Sequence, residues 1–414
     1  MRNSIKTLSV TTVSGLLLSI SLSLSAAPWD KEGYTLVMHD EFDTPVLNEG
    51  LWFKWYLPHW STREKTLARY ELKDGKLILK IEPDQVPWDP EHDGKTVISG
   101  VQTANKNWLH KWSKDYQDIK TSEPLVENYM QKYGYFEIRA KTQKGSGIHS
   151  AWWMIGLQDD AKNWDYSKKT TEVDIFEILG KRTDQALFNN HVWNDPDTKE
   201  RSNYVDLGFD SSEDFHVYGF EWNENNMSFY VDGVLKRTMD TSVPYAMLTM
   251  MSLYEKRHGG WTGPFDETVP YPKKFEIDYF RAYQRNDMIH RNNEGEHATL
   301  HGETHTDVKY LVASNNRYAR FLGNGAENYM EFKHLYVNET RDYQVSIDYI
   351  SGDDRDLFVS VNGATPVKLA DLNSGGWWTV GTRTFTTKLL KGNNTIKLFN
   401  NDAYAPDIDR LRVE

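Results

Sequence analysis

The chain has 414 residues, enough for two domains, and a formal net charge of −12 that argues against nucleic acid as a partner. It contains no cysteine, which excludes disulfides, thiol chemistry and Cys-based metal sites. Its 15 Trp and 23 Tyr suit a carbohydrate protein, because aromatic faces stack on sugar rings while their polar edges hydrogen-bond; at least half are expected in the core.

Residues 1–27 read as a secretory signal. Arg2 and Lys6 form the positive end, an apolar stretch interrupted by Ser and Thr runs to Leu24, and Ser25, Ala26 and Ala27 offer a cleavage region. The stretch is short for a membrane span, so a secreted or periplasmic protein without a membrane partner is expected. From residue 34 onward, strand-like alternation dominates, as in LKDGKLILKIE, GYFEIRAKT, MSFYVDGVLKRT and FEIDYFRAYQ. Asp74-Gly75 and Asp232-Gly233 mark hairpin turns, and no long amphipathic helix is visible. The pattern predicts an all-β protein built as a sandwich. Residues 46–69 and 83–132 are less regular and hold Trp52, Trp55, Trp60, Trp88, Trp108 and Trp112, so they read as functional walls. Pro83, Pro87 and Pro90 exclude a central strand over 83–96, which is expected to be an ordered loop at one end of a cleft.

The stretch 145–156, GSGIHSAWWMIG, leads to the most informative segment, 171–180, TEVDIFEILG. Val173, Ile175, Phe176 and Ile178 favour a strand, which puts Glu172 and Asp174 on one face. Strict alternation would put Glu177 on the other face, and a β-bulge would return it. Three carboxyls this close raise at least one pKa, the split that glycoside hydrolysis uses; a solvated acidic edge or a calcium site is the alternative reading of the bare spacing. In a regular strand, positions i and i+4 lie roughly 13 Å apart at Cα. A bulge and converging rotamers could bring the two Glu carboxyls to the roughly 5–5.5 Å of a retaining enzyme.

Taken with YTLVMHDEFD (34–43), YELKDGKLILKIE (70–82), YGYFEIRAKTQKGSGIHSAWWMIG (133–156), FHVYGFEWNENNMSFYVDGVL (215–235) and FEIDYFRAYQ (275–284), TEVDIFEILG resembles glycoside hydrolase family 16 in its bulged E-(I/V)-D-x-x-E form. The resemblance spans about residues 30–286 and implies a β-jelly roll whose concave sheet carries the cleft. It implies Glu172 as nucleophile, Glu177 as general acid/base and Asp174 as the assisting residue. It also implies substrate contacts from Trp153, with Trp152 in the outer layer, and from His191 on the neighbouring strand. Trp193, two residues on, faces the same side and offers a sugar platform. His149-Ser150-Ala151-Trp152-Trp153 departs from the Trp-Pro-Ala-Phe-Trp of many β-1,3-glucanases. The Gly-rich stretch 254–265 adds Arg257, His258 and Trp261, and Arg63, Lys65, Arg69, Lys181 and Arg182 are further cations for a sulfated sugar. These departures tilt the expected substrate toward a β-galactan of carrageenan, furcellaran or agar type; an endo-β-1,3-glucanase and a non-catalytic carbohydrate-binding protein are the alternatives.

Composition turns polar over 285–297, which gives domains at 28–286 and 293–414 joined by a linker at 287–292. DYQVSIDYISGDDRDLFVSVNG, the GGWW turn, LKGNNTIKLF and APDIDRLRV resemble a carbohydrate-binding module of family 6 or 35, hence a smaller β-sandwich. The resemblance implies binding through Trp377, Trp378 and Asp407, and a structural calcium held by Glu294, Glu296 and Asp409, since calcium takes oxygen ligands. No cofactor is expected for catalysis. The partner is a polysaccharide, and a monomer is expected.

Overall fold

The computed structural model describes residues 29–111, 115–116, 118–157, 170–193, 195 and 198–414. The signal-like segment 1–27 and Trp112 lie outside the described residues. Two β-sandwiches follow one another. The first packs an eight-stranded antiparallel sheet against a six-stranded one. The larger sheet runs Val234–Met239, Met227–Val231, His216–Trp222, Gly134–Lys141, Lys273–Arg285, Leu77–Ile81 and Tyr70–Leu72, with Tyr34–Asp40 paired to the far half of Lys273–Arg285. The smaller runs Arg201–Asp206, Gln185–Trp193, Thr170–Leu179, Ile148–Gly156, Met247–Lys256 and Thr96–Gln102.

The two sheets bury different numbers of faces, and their sequences show it. In Gly134–Lys141, Phe136, Ile138 and Ala140 enter the core while Glu137, Arg139 and Lys141 are less buried, the alternation of a sheet with one wet face. Ile148–Gly156 is buried at every position. Ile148, Trp152 and Met154 point into the main core, whereas Ala151, Trp153 and Ile155 join a second cluster with Tyr56, Leu57, Trp60, Trp88 and Leu109. The aromatic loops thus form a third layer over part of the concave sheet. Trp60 and Trp88 are buried there and Trp52 in the main core, so these three are packing residues rather than cleft walls.

The DG dipeptides make the expected turns, with Asp74 at φ 52° and Gly75 at 67°, and Asp232 at 49° and Gly233 at 76°. Thr96–Gln102 is an edge strand of the concave sheet inside a region read as irregular. It is buried along its whole length, so no alternation marks it, and Gly100 interrupts its β-branched run. A Cβ at Gly100 would lie 2.8 Å from Ser252 Oγ on the neighbouring strand.

The second sandwich pairs a sheet ordered His305–Val308, Arg317–Arg320, Asp407–Val413, Arg341–Ser351 and Gly376–Leu389 with one ordered Thr299–Leu300, Tyr329–Val337, Gly392–Phe399, Arg355–Val361 and Val367–Leu372. Its own core includes Tyr343, Val345, Ile347, Leu357, Leu398, Ile408 and Leu411. Segment 287–292 is a packed connection: Met288 and Tyr336 belong to the first core, and the His290 N–H donates to the Tyr336 carbonyl. Glu127 of the first sandwich accepts from Lys333 Nζ at 2.7 Å and from His334 Nε2 at 3.2 Å in the second.

Candidate active site

The acids sit on Thr170–Leu179, in the middle of the concave sheet. Pairing with Ile148–Gly156 shifts register between Trp152↔Phe176 and Trp153↔Asp174. Pairing with Gln185–Trp193 shifts between Leu187↔Glu177 and Asn189↔Asp174. The first shift leaves Ile175 as the extra residue of a bulge, and the second sets Ile175 and Phe176 opposite Phe188 alone. Val173, Ile175, Phe176 and Ile178 consequently all enter the core, and Glu172, Asp174 and Glu177 share the opposite face.

Each acid meets a histidine. Glu172 Oε2 accepts from His110 Nε2 at 2.7 Å and from Trp193 Nε1 at 2.9 Å. Burial works against a charge at Glu172, yet His110, His191 and the two hydrogen bonds outweigh it and bring its carboxyl down to about 2. Burial, then the charges of Glu177 and Glu172, push the Asp174 carboxyl well up. His191 Nε2 lies 3.7 Å from Asp174 Oδ2 and within hydrogen-bond distance of the Asn189 side-chain amide, at 2.8 Å. His149 Nε2 lies 3.2 Å from Glu177 Oε1. The His149 ring stacks on Tyr254, with centroids 4.7 Å apart, and meets Trp261 edge-on at 5.0 Å. One donor atom each from Glu172, Asp174 and His191 falls within 4.8 Å of the others, and the contacts above account for that grouping without an ion.

His110 has no counterpart in the sequence reading. It is one histidine in NWLHKW, inside an aromatic loop and 62 residues from its partner, and no local pattern signals it. Trp153 lies under the site, 2% exposed, with its ring 5.2 Å from His110 and 6.4 Å from Tyr56. Trp152 is on the core side. Trp193 differs from the platform expectation. Its N–H is given to Glu172 and its ring stacks on His191 at 5.1 Å, so it orients the carboxylate. Trp261 is 41% exposed at the rim, and its Nε1 donates to Tyr204 Oη at 2.8 Å. Most of the cations are committed elsewhere. Arg257 pairs with buried Glu255 and donates to the Gln85 carbonyl, Arg63 is held by Glu123, and Arg69 by Glu82 and Asp84. Lys181 donates to the Trp261 carbonyl, and Arg182 lies over the Tyr204 ring.

In the second sandwich, Trp378 is 73% exposed. Lys309 Nζ lies 5.3 Å from the centre of its ring and donates to the Trp377 carbonyl, while Arg355 covers the Trp377 ring at 4.6 Å. Asp407 is buried beside these cations, and burial pushes its carboxyl up to about 6 against the pull of Arg320, Lys309 and Arg355. Glu294 and Asp409 meet around Ser314, whose hydroxyl donates to Glu294 Oε1 at 3.2 Å and whose N–H donates to Asp409 Oδ1 at 2.7 Å. Burial and the Asp409 charge push Glu294 up to about 7, and burial pushes Asp409 up to about 6. Glu294 Oε2 is buried without a hydrogen-bond partner, so Glu294 and Asp409 offer hard oxygen donors to a calcium ion, but among the described residues Glu296 does not gather with them into the expected three-acid group. Glu296 and Glu294 also line a cavity of about 320 Å³ between the sandwiches.

A two-sheet sandwich with three carboxyls on a bulged strand of its concave face defines a glycosidase-type cleft. Residues 91–281 match glycosyl hydrolases family 16. The chain is 33% identical over 187 residues to a β-glucanase of Paenibacillus polymyxa, covering 45% of this chain and 69% of that protein. The chain belongs to glycosyl hydrolase family 16. It spans 42, 22 and 56% of the length of three further curated relatives, all named as β-glucanases or a xylanase/β-glucanase. Among solved structures it is similar to the GlcNAcα1-4Gal-releasing endo-β-galactosidase from Clostridium perfringens. That likeness has 25% identity and a TM-score of 0.59 and covers 88% of this chain and 99% of that one. It is also similar to a family 35 carbohydrate binding module from Clostridium thermocellum, at 30% identity and a TM-score of 0.29, over 30% of this chain and 96% of that one.

Proposed function

We propose that the chain is a retaining endo-β-glycoside hydrolase that cleaves an internal linkage of a β-galactan by double displacement. The bulge at Ile175 carries the reading, because it alone places Glu172, Asp174 and Glu177 on the cleft face. Glu172, ionised, attacks the anomeric carbon. The bond to the leaving oxygen breaks, and Glu177 gives that oxygen its proton. Water then attacks the glycosyl-enzyme, its proton passes to Glu177, and the bond to Glu172 breaks. Asp174, whose raised carboxyl retains a proton, shares it with Glu172 and smooths the charge changes there. His149 lies against Glu177, and His191 and Trp261 flank the sugar path, with Trp153 buried beneath the acids.

The galactan reading is supported by the likeness to the endo-β-galactosidase, which extends over both sandwiches. Among the described residues, Arg63, Arg69 and Arg257 are committed to acids, which favours the less sulfated members of the carrageenan–furcellaran–agar range. Trp377, Trp378 and Asp407 hold polymer near the cleft, which raises its local concentration, and a calcium ion held by Glu294 and Asp409 would brace that sandwich. A signal over 1–27 exports the enzyme to that polymer. The curated β-glucanase relatives favour a second reading, an endo-β-glucanase, with the endo-β-1,3-glucanase as one form of it. A reducing-end assay on κ-carrageenan, furcellaran, agarose, porphyran, laminarin and mixed-linkage glucan separates them. Release from a galactan alone is expected, and release from laminarin alone overturns the galactan reading. Absence of release from all six, with binding retained, makes the chain a non-catalytic binding protein.

A further inference from the structure

We infer that His110 is a positioning residue of the nucleophile: it holds Glu172 by Oε2 and so selects Oε1 as the oxygen that attacks. This rests on the proposed role of Glu172. Both N–H donors to the carboxylate, His110 and Trp193, fall on the same oxygen, while Asp174 hydrogen-bonds to Glu172 from its own strand. A carboxylate gripped at one oxygen by two N–H donors keeps its plane fixed and offers the other oxygen.

The loop that delivers His110 is built for the purpose. Trp108 and His110 both take left-handed backbone, at φ 69° and 54°, which non-glycine residues adopt only where their surroundings hold them. The surroundings are identifiable. The Leu109 carbonyl between them accepts two hydrogen bonds at 2.8 Å, from Trp60 Nε1 and His59 Nε2. Burial keeps the His59 ring neutral, down to about 3, so its Nε2–H is a donor that does not titrate near neutrality. Asn107 Oδ1 accepts from the Glu123 N–H, and Glu123 grips Arg63. His110 itself is 8% exposed and lies between the Trp153 and Trp193 rings, at 5.2 and 6.0 Å. The hydrogen bond and the two flanking rings hold the imidazole against Glu172.

The consequence runs through both steps. When Oε1 bonds to the anomeric carbon, Glu172 loses its charge and Oε2 becomes the ester carbonyl, still facing two donors. When water attacks and the C1–Oε1 bond breaks, the electron pair returns to the carboxylate, and the charge that reappears on Oε2 meets donors already in place. The other groups facing Glu172 are Asp174 on its own strand, His191 on the next strand, and the phenols of Tyr56 and Tyr254, which burial keeps protonated.

The test compares His110→Phe and His110→Gln in the full chain. Phe keeps a ring and removes both nitrogens, whereas Gln retains an N–H donor. Loss of a hydrogen bond to a charged group should lower kcat roughly 10- to 100-fold in His110→Phe, with KM nearly unchanged. The acid limb of kcat/KM should move to higher pH as Glu172 loses the partner that favours its ionised form. His110→Gln should recover most of kcat and move the limb less. An unmoved acid limb in a folded His110→Phe overturns the inference. So does a loss confined to KM, or a loss that Gln fails to reverse while both variants melt earlier. Azide added to Glu172→Gly checks the underlying role separately. An α-glycosyl azide product upholds Glu172 as nucleophile whatever His110 does, and its absence removes that role.

Discussion

Glu127 joins the first sandwich to the second through Lys333 and His334. Burial opposes its charge, but the hydrogen bonds from His334 and Lys333 prevail and hold its carboxyl at about 2, against an ordinary value of 4.5. A depression from 4.5 to about 2, at about 1.4 kcal/mol per pH unit, corresponds to roughly 3.5 kcal/mol. The three side chains are 21–22% exposed, so solvent screening brings the expectation to about 1–3 kcal/mol. A depressed acid contributes fully above its unfolded value, near 4.5, and the contribution is lost as pH falls through the folded value, near 2. By pH 3, more than half of it is gone. Urea unfolding of the wild type and Glu127→Gln at pH 7 and pH 3 reads this directly. The variant should be about 1–3 kcal/mol less stable at pH 7, with less than half that difference at pH 3. An equal penalty at both pH values, or none at pH 7, refutes the electrostatic clasp.

Deleting Ile175 removes the bulge and turns Glu177 toward the core; the variant should lose hydrolysis entirely and fall in melting temperature, because a carboxylate would enter an apolar layer. Trp193→Phe keeps the stack on His191 but removes the donor to Glu172, so kcat should fall about tenfold in steady-state kinetics with the melting temperature unchanged. Trp261→Ala should raise KM about fivefold, since a rim aromatic contributes about 1 kcal/mol of stacking. In the absence of calcium, the raised Glu294 and Asp409 carboxyls make the protein less stable as pH rises from about 4 toward 7. Added calcium should therefore raise the melting temperature at pH 8 and have little effect at pH 5.

The elements that could be read from sequence are those whose geometry is local. Asp-Gly turns, one-sided strands such as Gly134–Lys141, and the ExDxxE spacing each state their backbone within ten residues. Glu177 could be placed because the apolar residues between the acids allow one bulged arrangement. Thr96–Gln102 was not legible, because a strand covered on both faces has no alternation and Gly100 breaks its run. The loop tryptophans were misread for a related reason: a buried Trp60 or Trp88 and an exposed Trp261 look alike in composition, and only packing separates them. His110 is the extreme case. Its function depends on a left-handed turn pinned by His59 and Trp60, which lie some 50 residues earlier in the chain, and on a carboxylate 62 residues later. The cations show the converse, since charge in sequence says nothing about whether a carboxylate already occupies it.

The most direct test of the central claim is to trap the glycosyl-enzyme. The wild-type chain is incubated with a 2-deoxy-2-fluoro glycoside of the sugar it cleaves, bearing an activated leaving group, then digested and mapped by mass spectrometry. A glycosyl adduct on Glu172, within the 170–179 strand, is the predicted result. An adduct on Glu177 or Asp174, or turnover of natural polymer with release of the inverted anomer and no adduct, would contradict it.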